Sequence, residues 1–85
     1  MYSIELKPSA VRDLQRLPRP MQTRVARKID ALANNPFPRG SVKLQALRDL
    51  WRIRVGRYRI IYLVRRKTLV VFVLRVKHRG DVYRP

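Results

Sequence analysis

Between residues 50 and 66 the sequence reads LWRIRVGRYRIIYLVRR, with arginine recurring on both sides of a single glycine. Arg52 and Arg54 precede Gly56, Arg57 and Arg59 follow it, and Trp51, Ile53, Val55, Tyr58 and Ile60 stand between them. Alternation at period two is a strand pattern, and it sorts guanidinium groups from apolar side chains onto opposite faces. A guanidinium grips phosphate or carboxylate through two parallel hydrogen bonds and stays protonated at physiological pH. A row of arginines therefore binds and stabilises negative charge and cannot accept a proton. The C-terminal stretch KHRGDVYRP adds Lys77 and Arg79 to the cations and supplies His78 and Tyr83, which can exchange protons.

Such a row needs a folded support, and the composition provides for one. The 85 residues are 46% hydrophobic, which predicts one domain over residues 1–85 with its own core. Against that core stand 21 Lys and Arg and only 5 Asp and Glu, a formal net charge of +16. Self-repulsion on this scale is characteristic of proteins whose partner is a polyanion or an acidic protein. Absence of cysteine excludes a disulfide framework, a thiolate nucleophile and a cysteine-based zinc site, and fits a reducing cytoplasm. The opening MYSIELKPSA lacks the apolar core of a secretory signal. The longest apolar run, LVVFVL at residues 69 to 74, is far short of the roughly 18 residues of a membrane span, so no membrane partner is expected.

Residues 2 to 6 alternate weakly and predict a short strand ending before Pro8. Ser9 suits a helix N-cap, and Val11, Leu14 and Leu17 recur at helical spacing until Pro18 and Pro20. A second helix follows, its apolar stripe Met21, Val25, Ile29 and Leu32, with Arg24, Arg27 and Lys28 off the stripe. Residues 36 to 48 read as a connector in which Leu44 and Leu47 anchor onto the core. From Asp49 the period changes to two, predicting strands at residues 50–55, 58–64 and 69–76. The expected class is α+β: an N-terminal strand, a helical hairpin, then a mostly antiparallel sheet of three to four strands with both helices on one face.

Register follows from the turn. With Gly56-Arg57 as a two-residue hairpin loop, Val55 pairs with Tyr58, Arg54 with Arg59, Ile53 with Ile60 and Trp51 with Tyr62. Trp51, Ile53, Val55, Tyr58, Ile60 and Tyr62 then face the helices, which makes the three aromatic residues core and not stacking platforms. Arg52, Arg54 and Arg59 share the other face with Ile61 and Leu63. On the last strand Phe72, Leu74 and Val76 are expected on the core side, sending Arg75 and Lys77 to the arginines. Two guanidiniums about 5 Å apart repel by about 1 kcal/mol in water and about 3 kcal/mol at an effective dielectric of 20. A solvated face of a basic protein tolerates that through screening. Convergence of arginines from separate strands, with the basic C-terminal stretch beside them, favours a polyanion site.

The layout strand, helix, Pro-broken turn, helix, KLQAL connector, WRIRVGRYRIIY and closing VKHRGDVYR resembles the RelE/ParE toxin superfamily of toxin-antitoxin modules along essentially the whole chain. The most specific pieces are SAVRDLQRLP, the R-I-R-V-G-x-Y-R-I-I-Y hairpin and the terminal H-R-x-x-V-Y. The resemblance implies a small toxin held by an acidic antitoxin. Its RelE branch implies an endoribonuclease that cuts mRNA in the ribosomal A site, in contact with ribosomal RNA; its ParE branch implies a gyrase poison. Carried over by motif, the catalytic positions are Arg52, Arg54, Arg59, Arg79 and Tyr83, with His78 beside them; Arg57, Arg75 and Lys77 are expected to bind RNA around them.

The residue inventory is compatible with RNA scission by the 2'-hydroxyl. Arginines align the phosphate and stabilise its extra charge. Glu5, Asp13, Asp30, Asp49 and Asp81 are too scattered for a two-metal site, and one histidine cannot supply a paired-histidine mechanism, so no metal or cofactor is expected. Some family members carry lysine at the hairpin positions, where this chain has arginine. Proton transfer is thereby left to Tyr83, whose phenol nearby cations could lower, or to His78. His78 and Asp81 read equally well as ordinary surface or turn residues, and Tyr83 as a packing residue. Arg24, Arg27 and Lys28 read as solvated, or as contacts to ribosomal RNA phosphates.

Overall fold

The computed structural model describes residues 1–80. Its elements run β1 (Ser3–Leu6), α1 (Pro8–Gln15), α2 (Arg19–Ala31), β2 (Val42–Gln45), β3 (Leu50–Val55), β4 (Tyr58–Arg65) and β5 (Val70–His78). The five strands form one sheet in the order β1-β5-β4-β3-β2, with β1 parallel to β5 and every other pair antiparallel. The α+β class and the helical pair are as expected. After the N-terminal strand and the helices come four strands, the upper end of the expected three to four, because residues 42–45 extend the sheet at the β3 edge. Their side chains are exposed or half-buried, so no inward-outward alternation marked them as a strand.

The hairpin register is as read from the turn: Val55 opposes Tyr58, Arg54 opposes Arg59, Ile53 opposes Ile60 and Trp51 opposes Tyr62. Gly56 takes a positive φ of 59° at the first loop position, where a two-residue hairpin requires it. The helices cover one face of the sheet, and Ala10, Leu17, Val25, Ile29 and Leu32 pack there on Ile53, Val55, Ile60, Tyr62, Val64, Val71, Val73 and Val76. Trp51 and Tyr58 border this core, as expected. The opposite face carries a smaller cluster of Leu50, Ile61 and Leu63.

Strand β5 departs from the expected alternation. Val71 and Val73 enter the main core, whereas Phe72 and Leu74 pack with Leu50, Ile61 and Leu63 on the other face. Of the three expected core residues only Val76 is one. Arg65 pairs with Val70, leaving a four-residue loop, and the register then shifts: Tyr62 opposes Val73 but Ile61 opposes Arg75. Leu74 is thus the extra residue of a β-bulge. Without it, the parity of Val71 and Val73 would carry Arg75 into the core; with it, Arg75 turns outward and Val76 inward.

Other anchors differ from expectation as well. Leu47 is fully exposed and Leu44 is 42% exposed, so neither holds the connector. That work falls to the Tyr62 hydroxyl, which donates to the Pro36 carbonyl at 2.8 Å from within the core, and to Phe37, stacked at a tilt 4.9 Å from Trp51. Burial pushes the Tyr62 phenol up to about 12, against the opposing effect of a hydrogen bond from Ser41. Val11 points to solvent, and Ala10 takes the buried position in α1. Ser9 is not the N-cap, which falls at Lys7.

Ser9 instead joins a set of contacts that close the sheet edge. The β1 strand pairs with β5 only as far as Val73, and beyond that point α1 takes over. Ser9 Oγ donates to the Leu74 carbonyl at 2.7 Å, and Asp13 Oδ2 accepts the Val76 N–H at 2.9 Å. Asp13 also receives the Arg75 fork, Nε to Oδ2 at 2.7 Å and Nη2 to Oδ1 at 3.2 Å. Burial works to raise the Asp13 carboxyl, but the bonds from Arg75 and Val76 and the charges of Arg75 and Lys77 together hold it below its ordinary value. A carboxylate with a depressed folded-state pKa stabilises fully above its unfolded value, about 3.9, and loses that contribution as pH falls through the folded one. Asp13→Asn is expected to cost about 1–3 kcal/mol at pH 7 by removing the carboxylate charge from its bonds to Arg75 and to the Val76 N–H. In thermal melts followed by circular dichroism, the gap between the wild-type protein and this variant should be constant near neutrality and close below about pH 4.

Candidate nucleic-acid interface

The hairpin and the bulge together arrange the cations of the uncovered face in two rows across three strands. In the first, Arg54 of β3, Arg59 of β4 and Lys77 of β5 stand side by side, with Arg59 in the middle. In the second, Arg52, Ile61 and Arg75 are neighbours. No buried polar or charged residue lies beneath them among the described residues, and the apolar cluster of Leu50, Ile61 and Leu63 with Phe72 and Leu74 continues the face. The site is a shallow platform, half cationic and half apolar, in place of a deep pocket.

Electrostatics confirm that these groups converge. The Arg52 guanidinium is held below its ordinary value by burial first and then by the charges of Arg54 and Arg59. It remains a cation, and the shift reflects burial first and the repulsion of its neighbours second. Arg59 is half-buried, and its Nε is sealed from solvent with no hydrogen-bond partner among the described residues. A buried charged donor left without a hydrogen bond costs about 1–3 kcal/mol or more. The two ion pairs found among the described residues, Arg66 with Asp49 at 2.8 Å and Arg75 with Asp13 at 2.7 Å, both lie outside the Arg52–Arg54–Arg59 group.

The remaining expected site residues divide by position. Lys77 joins the first row as expected. Arg75 lies beside the platform but its fork is engaged by Asp13. Arg57 occupies the exposed hairpin turn, and its carbonyl accepts the Arg79 N–H, which extends the β4–β5 ladder and brings Arg79 to the end of the platform. His78 opposes Tyr58 and meets its ring edge-on at 5.4 Å between centroids. By strand parity that is the helix-facing side, so the sheet does not bring His78 among the arginines. Tyr83 lies outside the described residues.

Sequence reasoning missed the two carboxylates that matter most. Asp13 and Asp49 were legible only as scattered acids, yet each consumes one arginine. Asp49 adopts a positive φ of 54°, a conformation that aspartate tolerates better than most residues, and accepts Trp51 Nε1 at 2.8 Å as well as the Arg66 fork. The Arg66 bond is the largest influence lowering its carboxyl, with burial opposing it.

Comparison with known proteins places this geometry. Residues 4–83 match the family model described as the ParE toxin of the type II toxin-antitoxin system parDE. Toxin RelG of Mycobacterium tuberculosis is 32% identical over 84 residues, covering 98% of this chain and 97% of that protein. The toxin in the archaeal RelE-RelB complex from Pyrococcus horikoshii superimposes with a TM-score of 0.85 at 35% identity, covering 95% of this chain and 98% of that one. In the RelBE2 toxin-antitoxin complex from Mycobacterium tuberculosis the corresponding values are 0.80, 30%, 92% and 98%.

Unneutralised charge on the platform should be visible in stability. Replacing Arg54, exposed at the end of the first row, with alanine is expected to raise the melting temperature at low ionic strength. The gain should vanish near 1 M salt, where the screening length has fallen to about 3 Å. Parallel thermal melts of both proteins in a salt series check this; a gain that survives high salt would mean that repulsion is not its source.

Proposed function

Because the chain belongs to the RelE/ParE toxin family of type II toxin-antitoxin systems, we propose that it is a ribosome-dependent mRNA endoribonuclease that inhibits translation in the cytoplasm until an acidic antitoxin covers it. The observation that carries this reading is the demand for negative charge at Arg59, a half-buried guanidinium set between Arg54 and Lys77 on a face that holds Arg52 as well. An anion with several acceptor oxygens on one centre meets that demand, and a phosphodiester is such an anion.

The reaction is attack of the ribose 2'-oxygen on the adjacent phosphorus, with departure of the 5'-oxygen of the next nucleotide, giving a 2',3'-cyclic phosphate and a 5'-hydroxyl end. Negative charge accumulates on the non-bridging oxygens as the new bond forms. Arg59 and Arg52 are assigned to those oxygens, and Arg54 to alignment of the strand. Arg79, at the platform's end, is assigned to stabilising charge on the leaving oxygen, which takes its proton from solvent water. Arginine cannot carry the proton from the 2'-hydroxyl, so that step goes to Tyr83, or to His78 if the residues after it reorient the ring. Lys77 and Arg57 bind flanking phosphates. The apolar half of the platform accepts an unstacked base.

A second reading is favoured by the ParE description of the matched family model: inhibition of DNA gyrase without nucleic-acid cleavage. The two separate in a translating extract with mapping of transcript ends. Cleavage within the A-site codon is expected, with gyrase supercoiling unaffected by the same protein. Loss of one preorganised donor to developing charge typically costs about 10²–10³ in rate, and Arg59→Ala should fall by at least that margin. Tyr83→Phe should remove cleavage while ribosome binding persists. Intact transcripts together with blocked supercoiling would replace the nuclease reading with the gyrase one.

A further inference from the structure

Helix α2 presents Arg24, Arg27 and Lys28 at i, i+3 and i+4 spacing, where like charges destabilise a helix by about 0.2–0.5 kcal/mol per pair. Arg24 and Arg27 are exposed, and no ion pair among the described residues involves any of the three. They do not face open solvent alone. Together with Ala31 they line one wall of a groove of about 370 Å³ whose other wall is Arg54, Val55 and Gly56 of the β3–β4 hairpin. The groove exists because β2 stops pairing with β3 at Arg52, so the last residues of β3 form an uncovered edge beside α2.

Arg24 is held in this position by packing. Its Nη1 lies 3.6 Å from Met21 Sδ, and a Cβ placed on Gly56 would stand 3.6 Å from the same Nη1 and 3.4 Å from Met21 Cε. The guanidinium therefore rests against the hairpin turn. Arg54 belongs to both places, as the end of the Arg54–Arg59–Lys77 row and as a lining residue of the groove.

We propose that this groove is a second phosphate-binding site for RNA, joined by Arg54 to the platform, so that RNA engaged at Arg59 is also held around the hairpin edge against α2. The proposal rests on reading the platform as an RNA site. Four cations with no carboxylate among the lining residues, three of them arginines, match the spaced phosphates of a nucleic-acid backbone. An acidic amphipathic peptide fits less well, since Ala31 and Val55 are the sole apolar side chains in the lining. The phosphates can come from the strand that crosses the platform or from ribosomal RNA. The groove binds and does not take part in bond breaking.

The test uses the combined variant Arg24→Ala, Arg27→Ala, Lys28→Ala and a control that removes three cations from elsewhere, Arg12→Ala, Arg16→Ala, Arg19→Ala. Binding is read by fluorescence anisotropy with a 2'-O-methyl oligonucleotide, which cannot be cleaved by 2'-oxygen attack, and separately with small ribosomal subunits. For the groove variant we expect weaker binding in at least one arm, by about tenfold near 0.1 M salt. With the oligonucleotide, the salt slope should become shallower by about 0.7 for each phosphate that the groove no longer neutralises. The control should keep the wild-type slope. Weakening in the oligonucleotide arm identifies the crossing strand, and weakening with subunits alone identifies ribosomal RNA. Unchanged binding in both arms, or equal losses for the two triple variants, overturns the proposal. Since neither probe depends on cleavage, failure of the nuclease reading leaves this result interpretable.

Discussion

Strand parity across the Gly56 turn governs where charge accumulates on this molecule. Once Val55 opposes Tyr58, the apolar residues of both strands are committed to the helices, and Arg52, Arg54 and Arg59 are committed to the opposite face. A one-residue slip would exchange the two sets and bury guanidiniums under α2, at a cost far above the repulsion they suffer in the open. Hydrophobic burial thus enforces a charge arrangement that electrostatics alone would disperse. The repulsion is tolerated because the same strands that bring the arginines together are those that build the core.

The bulge at Leu74 extends this logic to the third strand. The valines at 71 and 73 fill the core beneath α1 and α2, and an uninterrupted strand would next bury Arg75. One inserted residue reverses the parity, delivers Val76 to the core and lets Lys77 complete the row beside Arg59. Asp13 then draws the Arg75 fork to α1 while its Oδ2 takes the Val76 N–H. The carboxylate closes the exposed part of the β5 edge where β1 ends, and it separates a structural arginine from those of the platform.

The contrast between hairpin and last strand explains what was legible in the sequence. The β3–β4 register was readable because a two-residue loop starting with glycine sets the pairing locally and alternating arginines label the faces. The β5 register was not readable in the same way, since VVFVL is apolar at every position and gives no sign of which residues face inward. Strand β2 escaped notice for the opposite reason: as an exposed edge it buries little, so neither face is marked. Leu47 looked like an anchor only because leucine usually is one, while the actual anchor, Pro36 accepting from Tyr62, is a backbone carbonyl that side-chain pattern cannot reveal. The shared face of Arg52, Arg54 and Arg59 was therefore foreseeable from the hairpin, whereas Arg75, expected beside them to bind RNA, is engaged by Asp13. His78 follows Val76 by two residues, so the expected parity already sends it to the helix side with Tyr58, and only the resemblance set it beside the arginines.

An unneutralised platform couples folding to binding. Any anion that occupies the face in the folded state alone stabilises that state, by about 2.7 kcal/mol at a hundredfold excess over its dissociation constant. Removal of the mutual repulsion among Arg52, Arg54 and Arg59 contributes to that affinity, whichever anion supplies the charge. An acidic protein segment and an RNA phosphate draw on the same source and exclude one another where they overlap. On the proposed function, an antitoxin needs no distortion of the active groups to be an inhibitor: neutralising the Arg54–Arg59–Lys77 row removes the electrostatic reason for RNA to stay there. The same neutralisation would make the toxin most stable when it is silent and least stable when free to act.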